Sequence, residues 1–149
     1  MAGLMAVRLF IAIGIALMAG FPVAFTLAGV ALIFAALIAT GFPYTNFTYL
    51  SQFMNSMDYF MKNSHGLRRL GSAATDIAYV ACGRYDAFYE YGLNAWDIAA
   101  GILLVKEAGG SVSDFNGGEH PLFREDIICT NGLIQKEFQE TTRKIMLKS

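Results

Sequence analysis

One stretch of the chain, residues 86–110, has the sequence DAFYEYGLNAWDIAAGILLVKEAGG. Asp86–Tyr91 alternates in the manner of a strand, and residues 92–94, which are Gly, Leu and Asn, predict a turn. Trp96–Ala108 predicts a helix, and the helix is expected to end at Gly109 because a glycine commonly follows the last helical turn. A strand that passes through a short turn into a helix is typical of an α/β layered sheet.

The same alternation of short strands and helices extends on both sides of this stretch, from residue 37 to the end of the chain. The strands that we predict are Leu37–Phe42, Leu67–Leu70, Asp86–Tyr91, Ser111–Phe115 and Asp126–Thr130. The predicted helices are Phe47–Lys62, a helix from its cap at Ser72 to Cys82, Trp96–Ala108 and Leu133–Met146. The second part of the chain, residues 38–149, is therefore predicted to form one α/β domain.

Charge is distributed unevenly along the 149 residues. Lys and Arg number 11 and Asp and Glu number 12, yet Arg8 is the only one of them before Asp58. This asymmetry indicates that the two parts of the chain are suited to different surroundings. The net charge of −1 and the pI near 6.1 indicate no basic face, so we do not expect nucleic acid as a partner.

The first part, residues 1–37, is predicted to be an apolar helical hairpin. Leu4–Ala19 and Val23–Ala36 have the composition of two apolar helices, and Pro22 interrupts the helix between them. The run from Leu9 to Leu37 carries no charge, and a run of this length favours insertion into a bilayer. We therefore expect lipid contact through residues 4–37 and a cytoplasmic second domain. A pair of buried core helices is the alternative, and the whole chain would then be cytoplasmic.

Residues 20–29, GFPVAFTLAG, lie at the break of this hairpin. They resemble the start of the large permease subunit of TRAP-type transporters, which opens with an apolar helix, a turn of the same kind and a second apolar helix. The resemblance covers about the first 35 residues and includes no substrate site. We therefore do not expect transport by this chain on its own.

The run WDIAAG, residues 96–101, places Asp97 in the first turn of a predicted helix. A carboxylate in that position accepts hydrogen bonds from helix N–H groups and is favoured by the helix dipole. The same position suits Mg²⁺, which binds one or two protein carboxylates together with water and substrate phosphate. Asp97 is accordingly either a helix cap or a metal ligand.

Two further positions are predicted to lie near the same edge of the sheet. The run Gly71-Ser72-Ala73-Ala74 opens a helix with small side chains, so its backbone N–H groups are free to bind an anion or a hydroxyl. Glu90 lies at the end of a strand, and α/β sheets bind ligands beyond the carboxyl ends of their strands. An ordinary helix cap at Ser72 and a solvated strand end at Glu90 are the alternatives.

Several blocks of the second domain together resemble the inositol monophosphatase family. They are LRRLGSAA at residues 67–74, DIAYVACGR at residues 76–84, WDIAAG at residues 96–101 and EAGG at residues 107–110, preceded by IATGFP at residues 38–43. The blocks occur in the order and with the spacing of that family over about 110 residues.

The resemblance implies the C-terminal part of an α/β/α/β/α layered phosphatase fold that hydrolyses phosphate monoesters, such as inositol monophosphate, with Mg²⁺. It implies that Asp97 is a metal ligand and that Glu90 and the backbone of Ala73, next to Ser72, contact substrate hydroxyls. In the family, clustered metal ions activate water for in-line attack and stabilise the leaving oxygen.

The 149 residues depart from the family in one respect. The family's Asp-Pro-(Ile/Leu)-Asp-Gly-Thr motif, which supplies most metal ligands, has no counterpart, because none of the three prolines follows an aspartate. We therefore expect an incomplete enzyme that is inactive alone, and we assign no catalytic residue. A truncated domain is also expected to expose a sheet face and to form homo-oligomers. The alternatives are a membrane-anchored interaction module and a permease fragment fused to a phosphatase remnant.

Overall fold

The computed structural model describes residues 36–147. They form a five-stranded mixed sheet with the strand order β2-β1-β3-β5-β4. The strands are β1 (Leu37–Thr40), β2 (Gly66–Arg68), β3 (Ala87–Tyr91), β4 (Ser111–Ser113) and β5 (Asp126–Thr130). The helices are α1 (Leu50–Asn63), α2 (Ala73–Ala81), α3 (Ala95–Glu107) and α4 (Gln135–Met146), with a short 3₁₀ turn at Pro121–Phe123.

The first three strands run in the same direction, and the last two do not. β1 pairs in parallel with both β2 and β3, and β5 pairs antiparallel with both β3 and β4. The carboxyl ends of β1 and β3 therefore lie side by side at one edge of the sheet. This edge is where an α/β sheet presents its ligand-binding residues.

Each face of the sheet is covered by two helices. On one face, Phe53 and Phe60 of α1 and Phe138 of α4 pack against Tyr89 of β3. On the other face, α2 and α3 pack against β3 and β5 through a second apolar cluster. The expectation of an exposed sheet face is wrong for residues 36–147, because four helices return to the sheet, two on each side.

The two helices α2 and α3 approach each other closely at a glycine. A Cβ atom on Gly101 of α3 would lie 2.6 Å from Cγ2 of Ile77 in α2. The partner of α3 at Gly101 is thus the neighbouring helix and not the sheet. Glycine is required here because any larger side chain would push the helices apart.

The predicted elements agree with those of the structure in type and order, and most differences are at their ends. β5 has the predicted bounds, whereas β1 ends at Thr40 rather than at Phe42. α1 begins at Leu50 rather than at Phe47, after a turn in which the N–H of Leu50 donates to the carbonyl of Phe47 at 3.1 Å. These are errors of boundary, which pattern alone defines poorly.

Between Ala36 and Leu147, no helix combines the length and the apolar character that crossing a bilayer requires. The hairpin that we predict in residues 4–36, and the transporter-like residues 20–29 within it, fall outside the described residues except for Ala36. The proposed boundary between residues 37 and 38 falls inside β1.

Candidate functional site

A pocket of about 300 Å³ lies at the carboxyl ends of β1 and β3. Its walls come from the residues after β1, the end of β3 and the first turns of α2 and α3. The lining residues that concern its chemistry are Gly41, Phe42, Arg69, Ser72, Ala73, Glu90 and Asp97. The structure thus brings the four residues that we singled out in the sequence, Ser72, Ala73, Glu90 and Asp97, to one place.

Glu90 forms the floor of the pocket. It is the fourth residue of β3 and only 6% exposed, and its carboxylate rests directly on Gly41. A Cβ atom on Gly41 would lie 2.1 Å from Cδ of Glu90, so a larger residue at position 41 would displace this carboxylate. The solvated strand end that we considered for Glu90 is therefore wrong, since the side chain is buried.

Burial also determines the charge of Glu90. It raises the pKa of Glu90 to about 7, and the nearby carboxylates of Asp76 and Asp97 act in the same direction. The guanidinium of Arg69 acts against this rise. Near neutral pH the Glu90 carboxyl group is accordingly shared between its protonated form, a donor, and its ionised form, an acceptor only.

Asp97 occupies the first turn of α3 at the side of the pocket. Its Oδ2 atom accepts a hydrogen bond of 3.0 Å from the backbone N–H of Asn94, which is one half of a capping box. The helix-cap interpretation of Asp97 is therefore confirmed in geometry. The side chain is half-buried and also lines the pocket, so one carboxylate oxygen caps the helix while the group faces the cavity.

The first turn of α2 forms the wall of the pocket near Ala73. Ser72 is the N-cap, and its Oγ accepts hydrogen bonds of 3.4 Å from the N–H of Thr75 and of 3.2 Å from the Oγ1 of Thr75. The N–H groups of Ala73 and Ala74 belong to the set that has no acceptor within a helix. They lie at the pocket wall behind methyl side chains only, where they can donate to an oxygen of a ligand.

Asp76 does not line the pocket, but its charge acts on Glu90. It is 1% exposed, and neither carboxylate oxygen has a hydrogen-bond partner within residues 36–147. Burial raises the pKa of Asp76 to about 6, opposed by the guanidinium of Arg69. Its position on the inner side of α2 could have been found from the spacing to Ile77 and Val80, both of which face the core.

Arg69 and Phe42 were also underestimated from the sequence. The guanidinium of Arg69 lies over the ring of Phe42, 4.9 Å from its centroid, and both residues line the pocket. In the sequence, Arg69 and Phe42 stood out only as parts of the blocks at residues 67–74 and 38–43. Phe42 lies two residues after the carboxyl end of β1, and this position is the signal that could have indicated a pocket residue.

The donor set of the pocket does not fit a complete Mg²⁺ centre. Nowhere in residues 36–147 do three side chains of His, Cys, Asp or Glu come together as metal ligands would. Asp97 offers one carboxylate to the cavity, and Glu90 is largely protonated below neutral pH. A cluster of Mg²⁺ ions takes its charge balance and octahedral geometry from several oxygen ligands at once.

Comparison with known proteins gives consistent results. The model of the Inositol monophosphatase family matches residues 16–147. The "Inositol-1-monophosphatase" of Mesorhizobium japonicum is 45% identical over 107 residues, which are 72% of this chain and 40% of that protein. The "Nus factor SuhB" of Escherichia coli K12 is 46% identical over 100 residues, which are 67% of this chain and 38% of that protein.

Solved structures agree with the sequence comparison. The extragenic suppressor protein SuhB of Bartonella henselae is similar with a TM-score of 0.69 and 39% identity, over 75% of this chain and 43% of that one. The Thermotoga maritima IMPase gives a TM-score of 0.63 and 40% identity, over 74% of this chain and 41% of that one. The chain spans about two fifths of the length of the curated relatives that it matches.

Proposed function

The chain belongs to the inositol monophosphatase family, and on that premise we propose that its pocket is the substrate-hydroxyl side of a Mg²⁺-dependent phosphate monoester hydrolase site. The observation that carries the proposal is the convergence of Glu90, Asp97 and the first turn of α2 around one cavity. Each of the three supplies a different chemistry, and together they suit a polyol phosphate such as inositol monophosphate.

The hydroxyl groups of a polyol are recognised by matched donors and acceptors. The N–H of Ala73 donates to a substrate oxygen, and the ionised carboxylate of Glu90 accepts from a substrate hydroxyl. Because Glu90 lies on the floor of the pocket at 6% exposure, its hydrogen bond to a ligand forms away from competing water. Arg69 at the rim adds a positive charge where a phosphate group would enter.

Asp97 supplies a single oxygen ligand on the α3 side of the pocket. When Mg²⁺ is bound in a site of this class, it polarises the phosphoryl oxygen and activates water. The residues present hold too few ligands for that centre, so we propose that the 149-residue chain binds polyols weakly and does not hydrolyse the phosphate ester on its own. Activity in this proposal depends on carboxylates from outside the described residues.

Two measurements on the purified 149-residue chain test this function. The first is phosphate release from inositol monophosphate with and without Mg²⁺, beside the Asp97→Asn variant. We expect no release above background from either protein. Release that requires Mg²⁺ and disappears in Asp97→Asn would refute the inactivity, since it would demonstrate a metal centre completed by the chain itself.

The second measurement is binding of myo-inositol by titration calorimetry at pH 8, where Glu90 is mostly ionised. We expect Glu90→Gln to weaken binding about tenfold, since one charge-assisted hydrogen bond is replaced by a neutral one. Glu107→Gln is the matched control, because Glu107 is exposed at the far end of α3. Equal affinities for the two variants would remove Glu90 from the proposed site.

The alternative function, a membrane-anchored interaction module, has one structural observation in its favour, an exposed apolar side of α3. Its anchor and its lipid contact would come from residues 4–37, which lie outside the described part except for Ala36 and Leu37. Membrane association, the cytoplasmic placement of the second domain and homo-oligomer formation stay predictions. Fractionation of cells that express the full chain, into membrane and soluble material, tests the first of them.

A further inference from the structure

Glu90 and Asp76 enter the same layer of the domain from opposite sides. Side chains alternate between the two faces of a strand, so Glu90 of β3 shares a face with Phe88, two positions earlier. Phe88 belongs to the apolar cluster that β3 forms with α2 and α3. Asp76 is buried on α2 beside Ile77 and Val80, which belong to the same cluster. The two carboxyl groups therefore both lie between the sheet and its α2–α3 layer.

The two carboxyl groups also lie at the same end of that layer. Ala73, the first residue of α2, lines the pocket together with Glu90. Asp76 follows Ala73 by three positions, which is about one helical turn. Asp76 does not itself line the cavity, so it influences a ligand there only through a neighbour that does.

Asp76 is buried without a partner among residues 36–147. It is 1% exposed, and neither of its carboxylate oxygens accepts a hydrogen bond from those residues. A buried carboxylate without a partner is strongly disfavoured, so such a group is neutralised by a proton or by an opposite charge. The guanidinium of Arg69 acts on Asp76, but it lies over the ring of Phe42 at the rim of the pocket. Burial and the charge of Asp76 raise the pKa of Tyr85, so this phenol carries no charge near neutral pH.

A small set of charged and titratable groups surrounds Glu90 within residues 36–147. Asp76 acts on it from α2, Asp97 from α3 and Arg69 from the segment before α2. Beyond the effect of burial, the two aspartates raise the pKa of Glu90, and Asp76 does so more than Asp97. Tyr44 is the remaining titratable group that lines the pocket. Asp76 is therefore the neighbouring charge that most opposes the ionisation of Glu90.

We propose that Asp76 is a positioning residue for ligand binding, because its carboxyl group and that of Glu90 share one proton near neutral pH and Asp76 thereby sets the pH above which Glu90 accepts a hydrogen bond from a ligand hydroxyl. Two carboxyl groups in one buried layer do not both ionise easily, since each charge opposes the other. An ionised Glu90 accepts from a hydroxyl, whereas a protonated Glu90 also offers a donor. This inference rests on the proposed function, in which Glu90 binds a substrate hydroxyl.

The direct test follows the carboxyl carbon of Glu90 by NMR. The complete 149-residue chain is labelled with carbon-13 at Cδ of glutamate, and the Glu90 resonance is identified by its absence from Glu90→Gln. Asp76→Asn preserves the shape of the side chain and removes its charge, so we expect the midpoint of the Glu90 titration to fall by at least about half a pH unit. Asp58→Asn is the matched control, because Asp58 is an exposed carboxylate on α1, and it should leave the midpoint unchanged.

A Glu90 midpoint that does not move in Asp76→Asn overturns the proposal. Asp76→Ser is a second neutral variant, which replaces Asp76→Asn should that protein not fold. The wild type provides a check that needs no substitution at Asp76, since two coupled carboxyl groups titrate over a wider pH range than one isolated group. A wild-type Glu90 curve that follows a single isolated group also overturns the proposal.

Binding of myo-inositol, measured by calorimetry at two pH values, separates this inference from the proposed function. We expect Asp76→Asn to bind about threefold more tightly than the wild type at pH 6, where more of its Glu90 is ionised, and equally at pH 8.5. A purely structural role of Asp76 would change the affinity by the same factor at both pH values, and that result overturns the role of Asp76 in binding. A shifted Glu90 midpoint without any inositol binding refutes the proposed function and leaves the shared proton in place.

Discussion

The outer sides of α4 and α3, which lie on opposite faces of the sheet, differ in the polarity of their exposed residues. α4 buries Phe138, Thr142 and Met146 and presents Lys136, Glu137, Glu140 and Arg143 to solvent. α3 presents Trp96, Ala100 and Leu103 to solvent on the side that faces away from the sheet. The outer side of α4 therefore has the composition of a surface in contact with water, whereas the outer side of α3 has the composition of a core. The difference shows that helices on the two faces of one sheet can carry opposite surface character.

The largest expected change in stability comes from removing a buried aromatic ring between α1 and α4. Phe138 is 4% exposed and stacks on Phe60 at a centroid distance of 4.9 Å. Phe138→Ala should lower the free energy of unfolding by about 3–5 kcal/mol through lost burial and the cavity left behind. Leu103→Ala, on the exposed side of α3, should change the free energy of unfolding by less than about 0.5 kcal/mol. Urea unfolding of both variants measures the contrast, and similar losses would erase the distinction between the two sides.

A second expected effect concerns the charge buried under the α2–α3 side. The pKa of Asp76 is raised from 3.8 to about 6, so the folded state holds this proton more tightly than the unfolded chain does. The contribution of Asp76 to the free energy of unfolding should therefore fall as the pH rises from about 4 to about 6 and change no further above that range.

Asp76→Asn should remove this fall and stabilise the protein at pH 8 by about 1–3 kcal/mol, since one pKa unit corresponds to about 1.4 kcal/mol. The buried Glu90, with a pKa of about 7, adds a slope of the same sign that the variant retains. Thermal unfolding at several pH values checks the prediction. Asp58→Asn, which removes an exposed carboxylate on α1, serves as the control. The prediction is wrong if the stability of Asp76→Asn falls with rising pH by as much as that of the wild type.

The inner and outer sides of α3 itself provide a smaller contrast. Gly101→Ala introduces a Cβ atom 2.6 Å from Ile77 and should destabilise the domain by roughly 1–2 kcal/mol, even though alanine favours helix more than glycine does. Ala100→Ser, one residue away on the outer side, should cost less than about 0.7 kcal/mol. Chemical denaturation of the pair tests whether α2 and α3 are in the close contact described above. A stabilised Gly101→Ala variant would show that they are not.

The smallest effect is expected at the surface of α1. Lys62 and Asp58, one helical turn apart, form an exposed ion pair in which Nζ and Oδ1 are 2.7 Å apart. Lys62→Ala should alter stability by no more than about 0.5 kcal/mol, and added salt should reduce even that difference. A larger loss, measured by urea unfolding in 0.1 M and 1 M salt, would mean that the α1–α4 side depends on its surface charges as well as on its core.

The sequence was sufficient for the elements of the domain because local patterns encode them. The short apolar run within Asp126–Thr130 gave the bounds of β5, and the small residues after Gly71 marked the start of α2. The four candidate site residues were recognised for the same reason, since each lies in a motif of a few consecutive residues. Their roles in binding remain predictions.

What the sequence did not provide depends on contacts between distant parts of the chain. Gly41 and Glu90 are separated by 49 positions, and only the pairing of β1 with β3 places the carboxylate on the glycine. Asp76 resembles any acidic residue in a first helical turn until its burial is known. The error about an exposed sheet face has the same origin, because helical periodicity indicates an apolar side but not the surface that this side covers.

The lengths of the edge strands restrict how this domain can associate. β2 and β4 occupy the two borders of the sheet and have only three residues each. An edge this short offers few backbone groups to an incoming strand, so the addition of further strands, which leads to fibrillar aggregates, gains little hydrogen bonding. The domain therefore combines an exposed apolar surface on the helix α3 with edge strands that are too short to pair well with another strand. We therefore expect any contact between copies of the domain to be made by helix surfaces such as the outer side of α3, and not by added strands.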